Sequence, residues 1–173
     1  PDTYRSRKHL REIIAEFERK TGAGLAITRL DASEHPEMVF AVGRTASLFH
    51  QKELVVIECL SDAGEREQDY VKSKLAFWSD AKDLTIVLWE GVLDLKDPLR
   101  KLIEKHATKT QEFKMLSSSA LARWIAAEAS ERKVRLAPSE LELLARRSDG
   151  DLFLVANELD KIAAGAKLDP IVE

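Results

Sequence analysis

Apolar positions along the first 116 residues alternate between a helical period and short strand-like runs. Leu10, Ile13, Ile14 and Phe17 fall at i, i+3, i+4 and i+7, one buried face of a helix that starts near Tyr4, with Asp2 and Thr3 placed to cap it. Thr21-Gly22 ends that helix, because glycine accepts the left-handed conformation a helix stop requires. Leu25 to Leu30 reads as a short strand. Asp31-Ala32-Ser33 then leads into a second helix with Pro36 in its first turn and Met38, Val39 and Val42 as its stripe. Gly43 weakens it by about 1 kcal/mol relative to alanine. Ser47-Leu48-Phe49 follows, then a second strand from Leu54 to Cys59 and a polar loop through Ser61-Asp62-Ala63-Gly64. A helix is expected from about Glu65 to Ser79, with Tyr70, Leu75 and Trp78 among its large apolar residues. Leu84 to Trp89 is nearly all apolar, which predicts a strand buried on both faces. A helix from about Asp97 to Ala107 and a last short strand from Gln111 to Leu116 complete this part.

From Ser117 onward the strand signals stop. Three helices are expected, at about Ser119–Glu131, Ser139–Arg147 and Asp151–Ala164, with Asp149-Gly150-Asp151 breaking the chain before the last. Strands alternating with helices predict a parallel α/β sheet covered on both faces over residues 1–116. Residues 117–173 read as a small three-helix lid. The chain begins almost inside a helix and stops at Pro170-Ile171-Val172-Glu173 without a structural ending, which reads as a piece of a longer protein.

Composition narrows the function. No apolar run approaches the roughly 20 residues that span a bilayer, so a cytoplasmic protein with no membrane partner is expected. The single cysteine, Cys59, has no internal partner and reads as a buried structural thiol. A net charge of −3, with both signs interleaved, is not that of a dedicated nucleic-acid binder. Arg123, Arg132, Lys133, Arg135, Arg146 and Arg147 read as a solvated face, with contact to DNA or a neighbouring subunit as the alternative.

A sheet followed by a helical lid is the architecture of many ATPases, so a phosphate loop is the motif to seek. G-x-x-x-x-G-K-[ST] is absent, and Thr21-Gly22-Ala23-Gly24 follows a helix and has no Lys-Ser/Thr. The magnesium-binding element would be an apolar strand ending in Asp-Glu. Leu84 to Leu88 supplies the strand, but Trp89 stands where the metal-binding aspartate belongs, and Glu90 reads as a strand-end surface charge. His9, His35, His50 and His106 show no metal-ligand spacing. The residues present no catalytic constellation, cofactor loop or metal set.

Ser47-Leu48-Phe49-His50-Gln51-Lys52-Glu53-Leu54-Val55-Val56-Ile57-Glu58 resembles the delta-subunit family of bacterial DNA polymerase III clamp loaders, where an S-L-F segment, polar residues and an apolar strand follow in this order. Pro1-Asp2-Thr3-Tyr4 resembles the start of that family's first helix, with the first strand missing here. Glu112-Phe113-Lys114-Met115-Leu116, Leu121-Ala122-Arg123-Trp124-Ile125, Gly150-Asp151-Leu152 and Asn157-Glu158-Leu159-Asp160-Lys161-Ile162 resemble its lid. The resemblance implies an AAA+-like fold without a working nucleotide site, in a non-catalytic subunit that binds and opens the β sliding clamp during DNA replication. It implies that Leu48 and Phe49 enter an apolar pocket of the clamp, flanked by Ser47 and by Ala46, where many relatives carry a larger apolar residue. It also implies partnership with the delta-prime and gamma/tau subunits through a collar domain that would begin about where this chain stops, and with primer-template DNA only inside that complex.

Two other readings stay open on the residues alone. One is an AAA+ ATPase fragment whose phosphate loop lies before residue 1; the other is a helical DNA-binding adaptor that reads duplex with residues 117–173. The clamp-loader reading predicts that the 173-residue chain binds the clamp but assembles poorly with the other loader subunits. Stable co-elution with them in size-exclusion chromatography would contradict it.

Overall fold

Four consecutive apolar residues, Leu54-Val55-Val56-Ile57, need burial on both faces of a strand. In the computed structural model they are the centre of β2 (Glu53–Glu58) and all are essentially inaccessible to solvent. The structure describes residues 2–21, 27–43 and 52–166. β2 lies between β1 (Ile27–Asp31) and β3 (Leu84–Trp89) in a parallel sheet of order β1-β2-β3. Ile27 pairs with Leu54 and Leu54 with Thr85, so side chains alternate in phase across the three strands.

That alternation makes two cores. Val55 and Ile57 join Leu30, Leu60, Val39, Val42, Leu99 and the buried stripe Val71, Leu75 and Trp78 of α2 (Glu65–Asp80). Leu102 and Ile103 of α3 (Pro98–His106) pack on the same cluster. On the opposite face, Leu54 and Val56 meet Leu10, Ile14 and Phe17 of α1 (Thr3–Thr21), with Ile27, Val87 and Trp89. Helices therefore cover the sheet on both sides, as the strand–helix alternation predicts. β3 is not the doubly buried strand its composition suggests. It is an edge of the described sheet, so Thr85 is exposed and its other residues are only half-buried.

Two other expectations are corrected. Pro36–Ala41 is a 3-10 helix rather than an α-helix. Its stretch is short, and the buried Val39 and Val42 are three apart, the spacing that stacks in a three-residue turn. Residues 111–116 form no strand. Their backbone is used elsewhere: the Phe113 carbonyl accepts from the Asp2 amide at 2.8 Å, and the Lys114 carbonyl accepts from the Arg5 guanidinium.

Contacts divide the chain into two compact units, Arg7–Glu112 and a helical unit that combines the first six residues with the chain from Phe113 onward. The helical unit contains α4 (Ser118–Glu131), α5 (Pro138–Ser148) and α6 (Leu152–Ala163). Each start has a local cause. Ser117 accepts from the Ala120 amide at 3.4 Å, and Asp151 accepts from the Phe153 and Leu154 amides at 2.9 and 3.2 Å. Glu140 reaches back to the Ala137 amide at 2.7 Å, where alanine has no acceptor of its own to offer. Asp149 and Gly150, both at positive φ, stop α5. Leu121, Ile125, Leu144, Val155 and Leu159 form the core. Tyr4 packs edge-on against Trp124 and Phe153, with ring centroids 5.5 and 5.1 Å apart.

Arg132 is the polar hub of this unit. Its guanidinium binds the buried Glu128 carboxylate, Asp160 at 2.7 Å and the Tyr4 hydroxyl at 3.2 Å. It is therefore not part of a solvated basic face, unlike the exposed Arg123, Lys133, Arg135 and Arg146. Removing Arg132 leaves the Glu128 charge desolvated without this partner. Arg132→Ala is expected to lower the unfolding free energy by roughly 2–4 kcal/mol, with Arg132→Met/Glu128→Leu recovering most of it. Urea denaturation checks this: a loss under about 0.5 kcal/mol in the single variant, the size of an ordinary surface change, contradicts it.

Candidate functional site

Ala46, Ser47, Leu48 and Phe49 lie outside the described residues, so the structure places the elements that lead into and out of them. On the leading side, the 3-10 helix Pro36–Ala41 is fastened to α2. Phe40 meets Tyr70 edge-on at 5.1 Å between centroids, and the Tyr70 hydroxyl donates to the Phe40 carbonyl at 3.2 Å, with the Val42 carbonyl at 3.5 Å. Gly43 takes φ +69, a conformation few side chains tolerate. A Cβ there would come within 2.7 Å of Trp78 Nε1. The glycine that weakens a helix in the sequence is thus a turn pressed against a buried tryptophan. On the trailing side, the Glu53 amide donates to the Asp83 carbonyl at 2.7 Å, and β2 begins at once.

The carboxyl ends of parallel strands are where α/β sheets usually hold ligands, and here they carry a cluster of charges. Glu58, buried at the end of β2, receives Arg29 at 2.6 Å and Arg7 at 3.3 Å. The Arg7 guanidinium lies over the Trp89 ring, 4.3 Å from its centroid. Trp89, which the sequence sets against a metal-binding aspartate, thus presents an aromatic face occupied by a cation. Its buried Nε1 has no hydrogen-bond partner.

Glu90 is not the strand-end surface charge that the sequence suggests. Its two carboxylate oxygens accept from the Leu60 amide at 3.0 Å and the Ser61 amide at 3.1 Å, tying β3 to the 3-10 turn Leu60–Asp62. That turn opens the polar loop expected through Ser61-Asp62-Ala63-Gly64. Cys59 sits outside β2 in the left-handed region, at φ 55, and is half-buried rather than enclosed. Burial first, then the surrounding carboxylates led by Asp31, push its thiol up from the ordinary range, which keeps it protonated and unreactive near neutrality.

Among the described residues no group of three His, Cys, Asp or Glu side chains comes together to hold a metal ion, and no helix is long and apolar enough to cross a membrane. His9 lies 3.3 Å from Glu12, and His35 is exposed, 3.7 Å from Glu37. Tyr70, Trp78, Arg7, Arg29 and Glu58 carry no motif. They sit on different elements, so only the three-dimensional packing reveals what they do together.

The burial of Glu90 is open to a direct test. Burial holds its carboxyl above the ordinary range, outweighing the Ser61 and Leu60 amides that pull it down. An acid raised in the folded state binds its proton more tightly there than when unfolded. Its contribution to stability therefore falls as pH rises from the ordinary carboxyl value through the raised one. Glu90→Gln cannot titrate. Urea midpoints of parent and variant, compared over roughly pH 4 to 7, are expected to shift in the variant's favour as pH rises and then level off. A difference that stays constant across that range overturns the assignment.

Neither a family model nor a curated protein sequence matches the chain. Among solved structures it is similar to the Bacillus subtilis DNA clamp loader delta protein (YqeN), with a TM-score of 0.57 and 19% identity over 92% of this chain and 50% of that one. The chain thus spans half the length of that solved protein. At this identity the likeness is one of fold, and it agrees with the three-stranded parallel sheet, the covering helices and the helices that follow: this chain has a delta-like clamp-loader α/β fold.

Proposed function

We propose that this chain is part of a non-catalytic clamp-loader subunit that docks on the β sliding clamp and favours its open form. The observation that carries the reading is the likeness of fold to a clamp-loader delta protein along 92% of the chain, together with the order of sequence segments that resembles that family. Leu48 and Phe49 would be the anchors, with Ser47 and Ala46 beside them. Burying both anchors supplies roughly 3–6 kcal/mol before ordering costs, enough for a contact of modest affinity. A clamp whose interface is strained when closed would be drawn open by a partner that binds the open form more tightly.

The chemistry at the strand ends supports a binding role over a hydrolytic one. Glu90 has both oxygens engaged by backbone amides and Trp89 presents no ligand, so neither stands free to hold a phosphate-bound metal. Delta-prime and gamma/tau subunits would be met through chain beyond this one, and primer-template DNA only within the assembled loader.

Calorimetric titration of the chain into the cognate sliding clamp tests the proposal. The parent is expected to bind at micromolar concentration, and Leu48→Ala/Phe49→Ala, folded by circular dichroism, to bind at least about tenfold more weakly. No heat from the parent at high micromolar concentration would sink the clamp reading. ATP binding by a longer chain that includes residues before Pro1 would favour the ATPase reading instead.

A further inference from the structure

We infer that residues 2–5, although they open α1, are a built-in ligand of the helical unit, and that Tyr4 is the side chain that locks α4 to α6. The inference is independent of the docking reading. Helical periodicity alone assigns this first turn to the same layer as Leu10, Ile14 and Phe17 further along α1. The contacts assign it otherwise, because the first six residues group with the chain from Phe113 onward. The Asp2 amide donates to the Phe113 carbonyl at 2.8 Å. The buried Asp2 carboxylate accepts from the Arg5 amide at 2.9 Å and from the Arg5 side chain at 2.6 Å. That pairing aims the Arg5 guanidinium, which donates to the Lys114 carbonyl and lies 6.0 Å from the centroid of the Phe113 ring. The turn is thus fastened at both ends to the segment that leads into α4.

Between those fastenings Tyr4 enters the unit as a wedge. Its ring meets Trp124 of α4 and Phe153 of α6 edge-on, at 5.5 and 5.1 Å between centroids, so one side chain spans two helices. Its hydroxyl accepts from the Arg132 guanidinium at 3.2 Å. The same guanidinium holds the buried Glu128 of α4 and, at 2.7 Å, Asp160 of α6. An aromatic contact and a polar hub therefore join the same two helices, and both run through Tyr4. A tyrosine that only filled space would not need its hydroxyl on a guanidinium that already bears two carboxylates. Helices of 14, 11 and 12 residues are marginal alone in water, so α4, α5 and α6 depend on what packs against them. Withdrawal of the first turn is then the step that opens the helical unit, a local unfolding that leaves the sheet within Arg7–Glu112 in place.

Native-state amide hydrogen exchange of the whole chain tests this in the parent, Tyr4→Ala, Tyr4→Phe and Ile14→Val. The last is a control on the same helix, facing the sheet. Tyr4→Ala is expected to speed exchange of the slowest α4 and α6 amides about thirtyfold or more, with the β2 amides unchanged. Tyr4→Phe keeps the ring and removes only the hydroxyl, so a three- to tenfold acceleration confined to the same helices is expected, the size of one lost hydrogen bond. Ile14→Val is expected to speed β2 and leave α4 and α6 as they are. Unchanged protection of α4 and α6 in Tyr4→Ala overturns the inference. So does equal acceleration of β2 and the helices in that variant, or acceleration of α4 and α6 by Ile14→Val to the same extent. Should Tyr4→Ala fail to fold, Tyr4→Phe decides by the same comparison.

Discussion

Strand β2 has no polar face to give to solvent, and the rest of the α/β unit follows from that constraint. Leu54 and Val56 must be covered from one side, Val55 and Ile57 from the other. A single helix cannot do both, so the chain places α1 on one face and α2, with α3, on the opposite one. The parallel pairing of β1 and β3 to either edge is fixed by the same requirement. A slip of one residue in β2 would turn its apolar pairs out of phase with Leu30 and Leu88 on one face and with Ile27 and Val87 on the other. β1 shows how an outer strand is made tolerable. Thr28 and Arg29 are exposed on it, and Arg29 is paired with Glu58.

The carboxyl ends of the strands show the same economy of structure. In a nucleotide-hydrolysing sheet of this layout, carboxylates at the strand ends must stay free to face a metal and water. Here Glu58 is buried between two arginines, and Glu90 caps the turn that follows β2. Glu58 ties the end of β2 to β1 and α1, and Glu90 ties the end of β3 to that turn. Arg7 extends the pattern by bridging Glu58 and the Trp89 ring. Altering this cluster would change the packing of the sheet.

The periodic signals made most of this fold legible in the sequence. Runs such as Leu54–Ile57 and the stripe Leu10, Ile14 and Phe17 depend on neighbours in the chain, so the strands and helices they imply were readable. The features that escaped depend on partners far away. Glu90 looks like a surface charge until the Leu60 and Ser61 amides, some 30 residues distant, are brought to it. Arg132 looks like one of six basic residues on a helical lid until Tyr4, 128 positions away, closes on it. Residues 111–116 have strand composition, but the start of α1 claims their carbonyls first. Val39 and Val42 fit a helical stripe, and only the short span before Gly43 selects the tighter 3-10 turn. The candidate anchors were legible solely through a resemblance of segment order. A Leu-Phe pair before a strand is, by itself, ordinary core.

On the docking reading, how a two-residue anchor could suffice is a question of ordering cost. Two apolar side chains gain only a few kcal/mol on burial, and immobilising a free loop would consume much of that. A segment held at both ends loses less. On one side Tyr70 and Trp78 hold Val42 and Gly43, and on the other the chain enters the most buried strand of the sheet within a few residues of Phe49. The constraint that buries β2 thus also fixes the chain from Glu53 onward. On the docking reading, affinity would depend on the ordering cost of the segment as well as on the anchors' own chemistry. On that reading an alanine at position 46, where a larger apolar residue would add contact area, would leave more of the binding energy to the two anchors.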